Sequence, residues 1–329
     1  MKIFRSLEEV PADFGPTIVT VGNFDGIHRG HQHVLQEVVG RARQNHSKAV
    51  AVTFEPHPFR ILRPDVTPRL ITPLAKKEEL LAQTGLDALL EIPFTRDFSM
   101  TTAEEFARDI LAGRLHAKEV HEGDNFHFGH NAQGTTASLK ELGQQFGFAV
   151  RVYPVMMVRG IQVSSSQVRA LLVAGKVSMA RRLLGRVFSI TGAPGRGRGY
   201  GHKYTVPTIN LSRYDDLVPG NGVYLTRTRV DNETFNSVTN VGLRPTFGDE
   251  SFAIETHLLD FHPLDVTAQT EVEISFLQWR RPEIKFPSIE ALKAQIGEDV
   301  QRAQRYFALV EKGQLTTEAR RRHGENRVV

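Results

Sequence analysis

The sequence predicts an α/β chain in two parts: a parallel-sheet part over residues 1–183 and a mainly β part with a closing helix over residues 184–329. Three observations predict this. Up to about Leu184, strand-like and helix-like segments alternate, and βαβ order implies a parallel sheet with right-handed crossovers. From Gly185, short alternating runs are separated by Gly, Pro, Asn and Asp, which suggests a small barrel or sandwich. The segment from Ser288 then closes the chain with helical periodicity.

Each element has its own reason. TIVTVGNF is a nearly continuous β-branched run, as a strand buried on both faces requires. Val34, Leu35, Val38, Val39 and Ala42 follow at helical spacing. KAVAVTFEPHP is a strand stopped by prolines, and KKEELLAQTG is a helix ended by a glycine. DALLEIPF is a strand, TAEEFARDILAG a helix opened by Thr101 or Thr102, and AKEVHEGDNF a further strand. ASLKELGQQFG and FAVRVYPV repeat the alternation. In the second part GRVFSITGAP, TVPTINLS, GVYLTRTRV, TFNSVTNVGL, FAIETHLLDF and TEVEISFLQWRR read as strands.

Composition bounds the function. The chain has 329 residues, no cysteine and a formal net charge of +4. Disulfides, Cys-ligated zinc and thiol catalysis are excluded, and a cytoplasmic location is expected. No apolar run is long enough to span a bilayer, and MKIFRSLEEVPADFG has acids early and no apolar h-region, so neither a membrane nor a secretory signal is expected. The positive balance is a mild bias towards anionic ligands.

In TVGNFDGIHRGH a strand runs directly into a helix, whose first N–H groups lack intrahelical partners and suit a phosphate. Gly22, Gly26 and Gly30 allow close approach of backbone to a ligand, and His28 and His31 share a face of the first turn. Their imidazoles suit phosphate oxygens and the charge on departing pyrophosphate. Metal ligation by His28, His31 and His33 lacks a partner cluster. In SSSQVRALL a serine caps a helix and Arg169 lies one turn on; taken alone, this reads equally as a plain capped helix with a surface arginine. GAPGRGRGYGHKY reads as a phosphate-wrapping loop or a flexible basic segment. In PTIN, Thr208 and Asn210 fall on one side of an extended chain and offer hard oxygens suited to Mg²⁺. Glu255, opposite in facing to Ile254, is on residues alone an outward solvated carboxylate.

VGNFDGIHRGH resembles the H-x-G-H motif of the nucleotidyltransferase superfamily, in the form used by the bacterial bifunctional riboflavin kinase/FAD synthetases. VTFEPHP, EGDNFHFGHNAQG and VSSSQVRALL resemble further blocks of that family's first domain. PTINL, GVY, NVGLRPT, ETH and RRPEIKF resemble blocks of its riboflavin kinase domain. The resemblance implies a Rossmann-like adenylyltransferase domain over residues 1–183 and a small antiparallel β-barrel kinase domain with a C-terminal helix over 184–329. It implies ATP, riboflavin, FMN and FAD as substrates and products, and Mg²⁺ as cofactor. Catalytic roles fall on His28, His31, Ser165, Arg169 and Glu255, the last as base for the riboflavin 5′-hydroxyl. Nucleotide binding falls on Gly22, Asn23, Phe24, Asp25, Gly30, Ser164, Ser166, Gly192, Gly195, Arg196, Thr208 and Asn210, with the metal on Thr208 and Asn210. Flavin binding falls on Phe54, Pro56, Pro58, Asn125 and Arg281.

Two departures stand out. Where the family carries DFRFG and a further arginine, this chain has Asn125, His127 and Ala132; where it carries L-G-F before P-T, this chain has YTV. The first keeps a kinase-only reading open. An RNA-binding or tRNA-charging protein, which shares a related H-x-G-H grip, is disfavoured because no K-M-S-K-S-like loop or anticodon-sized domain is present. Expected partners are therefore small molecules, without nucleic acid or membrane, on a monomer or weak homo-oligomer.

Overall fold

The computed structural model describes residues 1–195, 208–212, 214–245, 250–262, 264 and 266–324. Two compact units divide the chain: Met1–Arg169 with Arg182–Gly185, and Ala170–Arg181 with Arg186–Val329. Among the described residues no helix is long and apolar enough to cross a membrane.

The first unit is a six-stranded parallel sheet of β1 (Lys2–Phe4), β2 (Thr17–Val21), β3 (Lys48–Glu55), β4 (Ala88–Pro93), β5 (Ala117–Gly123) and β6 (Ala149–Tyr153), in the order β1-β4-β3-β2-β5-β6. All five residues of β2 are buried, because helices cover both faces of the sheet. The strand's twofold alternation divides its side chains between two cores. Ile18 packs with Leu35, Val38 and Ala42 of α1 (Arg29–Gln44) and Leu81 of α2 (Leu74–Ala82). Val19 and Val21 pack instead with Phe106, Leu111 and Leu139. The strand order reverses at β2, with β3 on one side and β5 on the other. A crevice beyond the carboxyl ends of these strands is where an open α/β sheet binds ligand.

Two helix ends differ from expectation. The helix before Gly85 stops at Ala82 with Gln83 as its cap, and Gly85 follows in the left-handed region at φ +88°. The helix opened by Thr102 carries the expected cap, reinforced by Glu105, but its turns widen to a π-helix over Phe106–Arg114.

The second unit is one antiparallel sheet of β7 (Phe188–Gly192), β8 (Thr208–Asn210), β9 (Gly222–Val230), β10 (Glu233–Pro245), β11 (Glu250–Leu258) and β12 (Val272–Arg281), ordered β7-β12-β9-β10-β11-β8. It curls until its two edges meet. Pro194 and Leu211 form an antiparallel bridge, flanked by Gly195 N–H to the Asn210 carbonyl at 2.8 Å and Ser212 N–H to the Ala193 carbonyl at 2.9 Å. This is the expected small barrel, and bringing the edges together hides the exposed strand rims. Tyr224, Ile254, Ile274 and Phe276 are buried in its interior. On the opposite face Val223, Leu225 and Val238 pack with Ala303 and Phe307 of the last helix, Ile289–Gly324.

An ion pair pins that helix to the sheet. Arg281 Nη2 and Nε donate to Asp299 Oδ2 at 2.6 and 3.0 Å, and Nη1 donates to the Pro282 carbonyl at 3.0 Å. Removing one partner of a largely buried pair leaves the other uncompensated. Asp299→Ala is expected to destabilise the barrel by about 3 kcal/mol. A lowered urea midpoint, read from the fluorescence of the single tryptophan, Trp279, checks it.

Candidate functional site

In the first unit the β2–α1 connection is strained by design of its sequence. Phe24, Gly26 and Ile27 all have φ between 38° and 85°, in the left-handed region. The turn delivers His28 as the N-cap of α1, where Nδ1 accepts the His31 N–H at 3.3 Å. In the neutral ring the proton therefore sits on Nε2. The two imidazoles stack, with centroids 3.7 Å apart and an interplanar angle of 16°, and Phe24 packs edge-on against His31 at 5.3 Å. A Cβ at Gly30 would lie 3.2 Å from both Cε1 and Nδ1 of His28, so this glycine makes the stack possible. Gly22 is similarly close to the Phe24 ring, and Asn23 is exposed at the mouth.

The Ser/Arg block arrives from far along the chain. Ser164 Oγ accepts the Gln167 N–H at 3.2 Å and caps the helix Ser165–Val173. Ser165 Oγ donates to the Asp25 carbonyl at 2.7 Å, and Arg169 Nη2 pairs with Asp25 Oδ2 at 2.6 Å. Asp25 Oδ1 accepts two more hydrogen bonds, from Ile71 and Thr72 N–H at 2.9 and 3.0 Å. Asp25 is 3% exposed, so it acts as a hub for these loops rather than as a surface ligand for nucleotide. Burial raises its pKa, while the Thr72 N–H and Arg169 oppose the rise. Ser166 remains exposed.

The expected flavin residues of the first unit lie at or after the ends of β3 and β5. Phe54 packs near Phe94 and Phe98, Pro56 is half-buried, and Pro58 begins the short helix Pro58–Leu62. His57 caps that helix, its Nδ1 accepting the Phe59 N–H at 3.2 Å. Asn125, His127 and Ala132 are all exposed in the segment after β5, His127 in a two-residue strand paired with Gly134–Thr135. Sequence reading missed Glu122. It is buried in β5, and its Oε1 accepts the Val21 N–H at 2.6 Å where β2 and β5 part. Burial holds its carboxyl well above the ordinary range. No simple signal marked it, because its strand, AKEVHEG, also carries Lys118, Glu119 and His121.

In the second unit register makes the site. Thr208 stands opposite His257, and Asn210 opposite Glu255, which is itself opposite Asn240 on the other side. Directly paired side chains lie on one face within contact distance, so Asn210, Glu255 and Asn240 form a row. Thr208 Oγ1 meets His257 Nδ1 at 2.8 Å. Asn210 Oδ1 is buried without a hydrogen-bond partner among the described residues. Such an acceptor costs free energy unless something donates to or coordinates it, and a hard cation suits an amide oxygen. Asn240 was missed because only strand pairing brings it to Glu255. Glu255 is half-buried, not fully solvated.

Three expected residues are placed differently. Gly195 spends its N–H on the Asn210 carbonyl, and a Cβ there would lie 2.7 Å from Ser212 Cα, so it serves edge closure rather than phosphate. Gly192 has only ordinary contact, with Leu211 at 3.8 Å from a built Cβ. The Arg281 guanidinium is committed to Asp299 and Pro282 instead of being offered to flavin. Arg196, like the YTV departure, lies outside the described residues.

Two family models match the chain, FAD synthetase over residues 10–167 and riboflavin kinase over residues 184–307. Its curated relatives include the bifunctional riboflavin kinase/FMN adenylyltransferases of Pseudomonas fluorescens, 35% identical over 91% of this chain and 96% of that one, and of Escherichia coli K12, 32% identical over 94% and 99%. The chain belongs to the bifunctional riboflavin kinase/FMN adenylyltransferase family. A third member, from Buchnera aphidicola of Schizaphis graminum, is 32% identical and is matched over its whole length, 94% of this chain. A crystal structure described as a macrolide-efflux protein from Streptococcus pneumoniae superposes with a TM-score of 0.82 at 26% identity, covering 92% of this chain and 98% of that one.

Two outcomes follow for the first unit. Burial, with Lys77 and Arg169 adding to it, lowers the His57 pKa to about 4. A depressed histidine binds fewer protons folded than unfolded, so its contribution is lost as pH falls from about 6.5 through about 4. The His57 ring resonance is expected to titrate near 4, with stability falling over that window. Asp25→Asn keeps an acceptor for Ile71 and Thr72 but sets an amide against Arg169. A destabilisation of about 3 kcal/mol, seen by calorimetry, is expected from the stranded guanidinium.

Proposed function

We propose that the two activities divide between residues 1–183 and 184–329, the first transferring the adenylyl group of ATP to FMN and the second phosphorylating riboflavin. The observation that supports this most is that each compact unit gathers its own constellation: the stacked His28 and His31 in one, the Asn210–Glu255 row in the other.

In the adenylyl step an FMN phosphate oxygen attacks the α-phosphorus of ATP and the bond to pyrophosphate breaks. His28 Nε2–H and His31, at the positive end of the α1 dipole, hold phosphate oxygens and the charge that builds on the leaving group. Arg169, oriented by Asp25, acts on the nucleotide, while Ser165, whose hydroxyl proton goes to the Asp25 carbonyl, holds the start of its helix against the turn. No covalent enzyme intermediate is needed. In the kinase step Glu255 takes the proton of the riboflavin 5′-hydroxyl as its oxygen attacks the γ-phosphorus, and ADP leaves. Thr208 and Asn210 would hold Mg²⁺, which neutralises charge on the ATP phosphates, and the orphaned Asn210 Oδ1 fits that role. The chain acts in the cytoplasm as a monomer or weak homo-oligomer on small-molecule substrates.

The exposed His127 and Ala132, where guanidinium groups are expected, favour one second reading: a kinase with a weakened adenylyltransferase. Supplying FMN and ATP separates the two, since a kinase alone yields no FAD. His28→Ala is expected to lower FAD formation from FMN by ~100-fold or more and leave FMN formation unchanged. Glu255→Ala is expected to do the reverse, costing FMN formation ~100-fold or more. Chromatography of both products reads the result, and loss of both activities in either folded variant refutes the two-site division.

A further inference from the structure

Inside the barrel lies a polar feature that no part of the proposed chemistry uses. Thr226, Thr228, Ser237, Thr239 and Thr256 are each 0% exposed. Their hydroxyls meet in five contacts: Thr226–Ser237 at 2.7 Å, Ser237–Thr228 at 2.8 Å, Thr228–Thr256 at 3.2 Å, Thr256–Thr239 at 2.7 Å and Thr239–Thr226 at 2.7 Å. The contacts close into a ring in which every hydroxyl has two neighbours. Each can donate one proton and accept one, so five donors match five acceptors with nothing left over. Either direction of donation satisfies the ring.

The ring crosses strands that do not pair. Thr228 belongs to β9 and Thr256 to β11, with β10 between them. Two strand spacings amount to about 10 Å in a flat sheet, so the Thr228–Thr256 contact exists only while the sheet is curled. The ring also lies under the kinase row. Thr239 pairs with Thr256 in register, and the next rung pairs Asn240 with Glu255. Successive side chains alternate, so the ring occupies the inner face where the row occupies the outer one.

We propose that this five-hydroxyl ring is a positioning device for the kinase site, fixing the curl of β9–β11 and thereby the placement of Glu255 beside Asn210. The inference rests on the assignment of Glu255 as the base. The five groups act as a unit: removing one opens the ring into a chain that has one hydroxyl proton with no acceptor. Removing a neighbour as well shortens the chain but strands no further proton. The ring thus makes its members non-additive, which an ordinary set of buried threonines is not.

Full-length protein with riboflavin, ATP and Mg²⁺ tests this. Thr256→Val and the remote Ser237→Ala, which removes only an oxygen, are expected to lower kcat for FMN formation ~10-fold with KM for ATP within ~2-fold, because a misplaced base costs the transition state and not nucleotide binding. Thr256→Ser, which keeps the hydroxyl, is expected to restore kcat. FAD formation from supplied FMN stays at the wild-type rate. In urea, followed by Trp279 fluorescence, Thr239→Val and Thr256→Val each lower the midpoint, and the double variant lowers it no further than the worse single. Wild-type kcat in both Thr256→Val and Ser237→Ala, or additive shifts in the double variant, overturns the proposal. If Glu255→Gln retains FMN formation, the base assignment has failed instead. The positioning role then falls with it, even where the urea shifts are non-additive.

Discussion

The carboxylate of Asp25 is the interaction on which the first unit's site depends. It sits in the strained turn between β2 and α1, which Gly26 N–H to Thr72 Oγ1 and Gln32 Nε2 to the Ile27 carbonyl also help to hold. Its two oxygens take two backbone N–H groups from the loop before α2 and the Arg169 guanidinium from a helix 144 residues away. Three segments distant in sequence are therefore referred to one buried charge. An isolated buried carboxylate is costly, and this one is tolerable only because all three donors arrive together. The histidine stack is a downstream result: the turn that Asp25 anchors presents His28 to cap α1, and the cap orients the ring.

The barrel solves a comparable problem differently. Its interior mixes aromatic and aliphatic side chains with a closed set of hydroxyls, and its outer face trades apolar packing against a helix for the polar row around Glu255. Both units place the groups proposed to react at the margin of a well-packed layer, where neighbouring backbone is fixed by pairing. The Arg281–Asp299 pair is a brace of the same kind, holding a helix to β12 by a charge contact with little solvent to weaken it.

Much of this was legible in the residues. The β-branched run of β2, the apolar stripe of α1 and the alternating runs after Gly185 carry period and burial directly, and the structure follows them. The glycine and histidine spacing of the first turn also carries its own geometry, since a Cβ at position 30 would crowd the His28 ring. What sequence could not carry was pairing. Asn240 meets Glu255, and Thr208 meets His257, only through strand register. Arg281 was expected at the flavin through the family resemblance alone, and nothing local showed that its acid stands on a helix eighteen residues on. Asp25 looked like a ligand residue because nothing local revealed three donors converging on it. Gly195 looked like a phosphate loop residue because the edge it closes is made of segments far apart in sequence.

The orphaned amide oxygen of Asn210 has a consequence outside catalysis. Nothing among the described residues donates to this buried acceptor, and a buried acceptor left unsatisfied costs about 1–3 kcal/mol. Any occupant that coordinates it repairs a defect of the fold as well as filling a site. An occupant that coordinated it would protect the barrel against local unfolding and cleavage. On the proposed assignment, the survival of a molecule would then follow how often that site is filled.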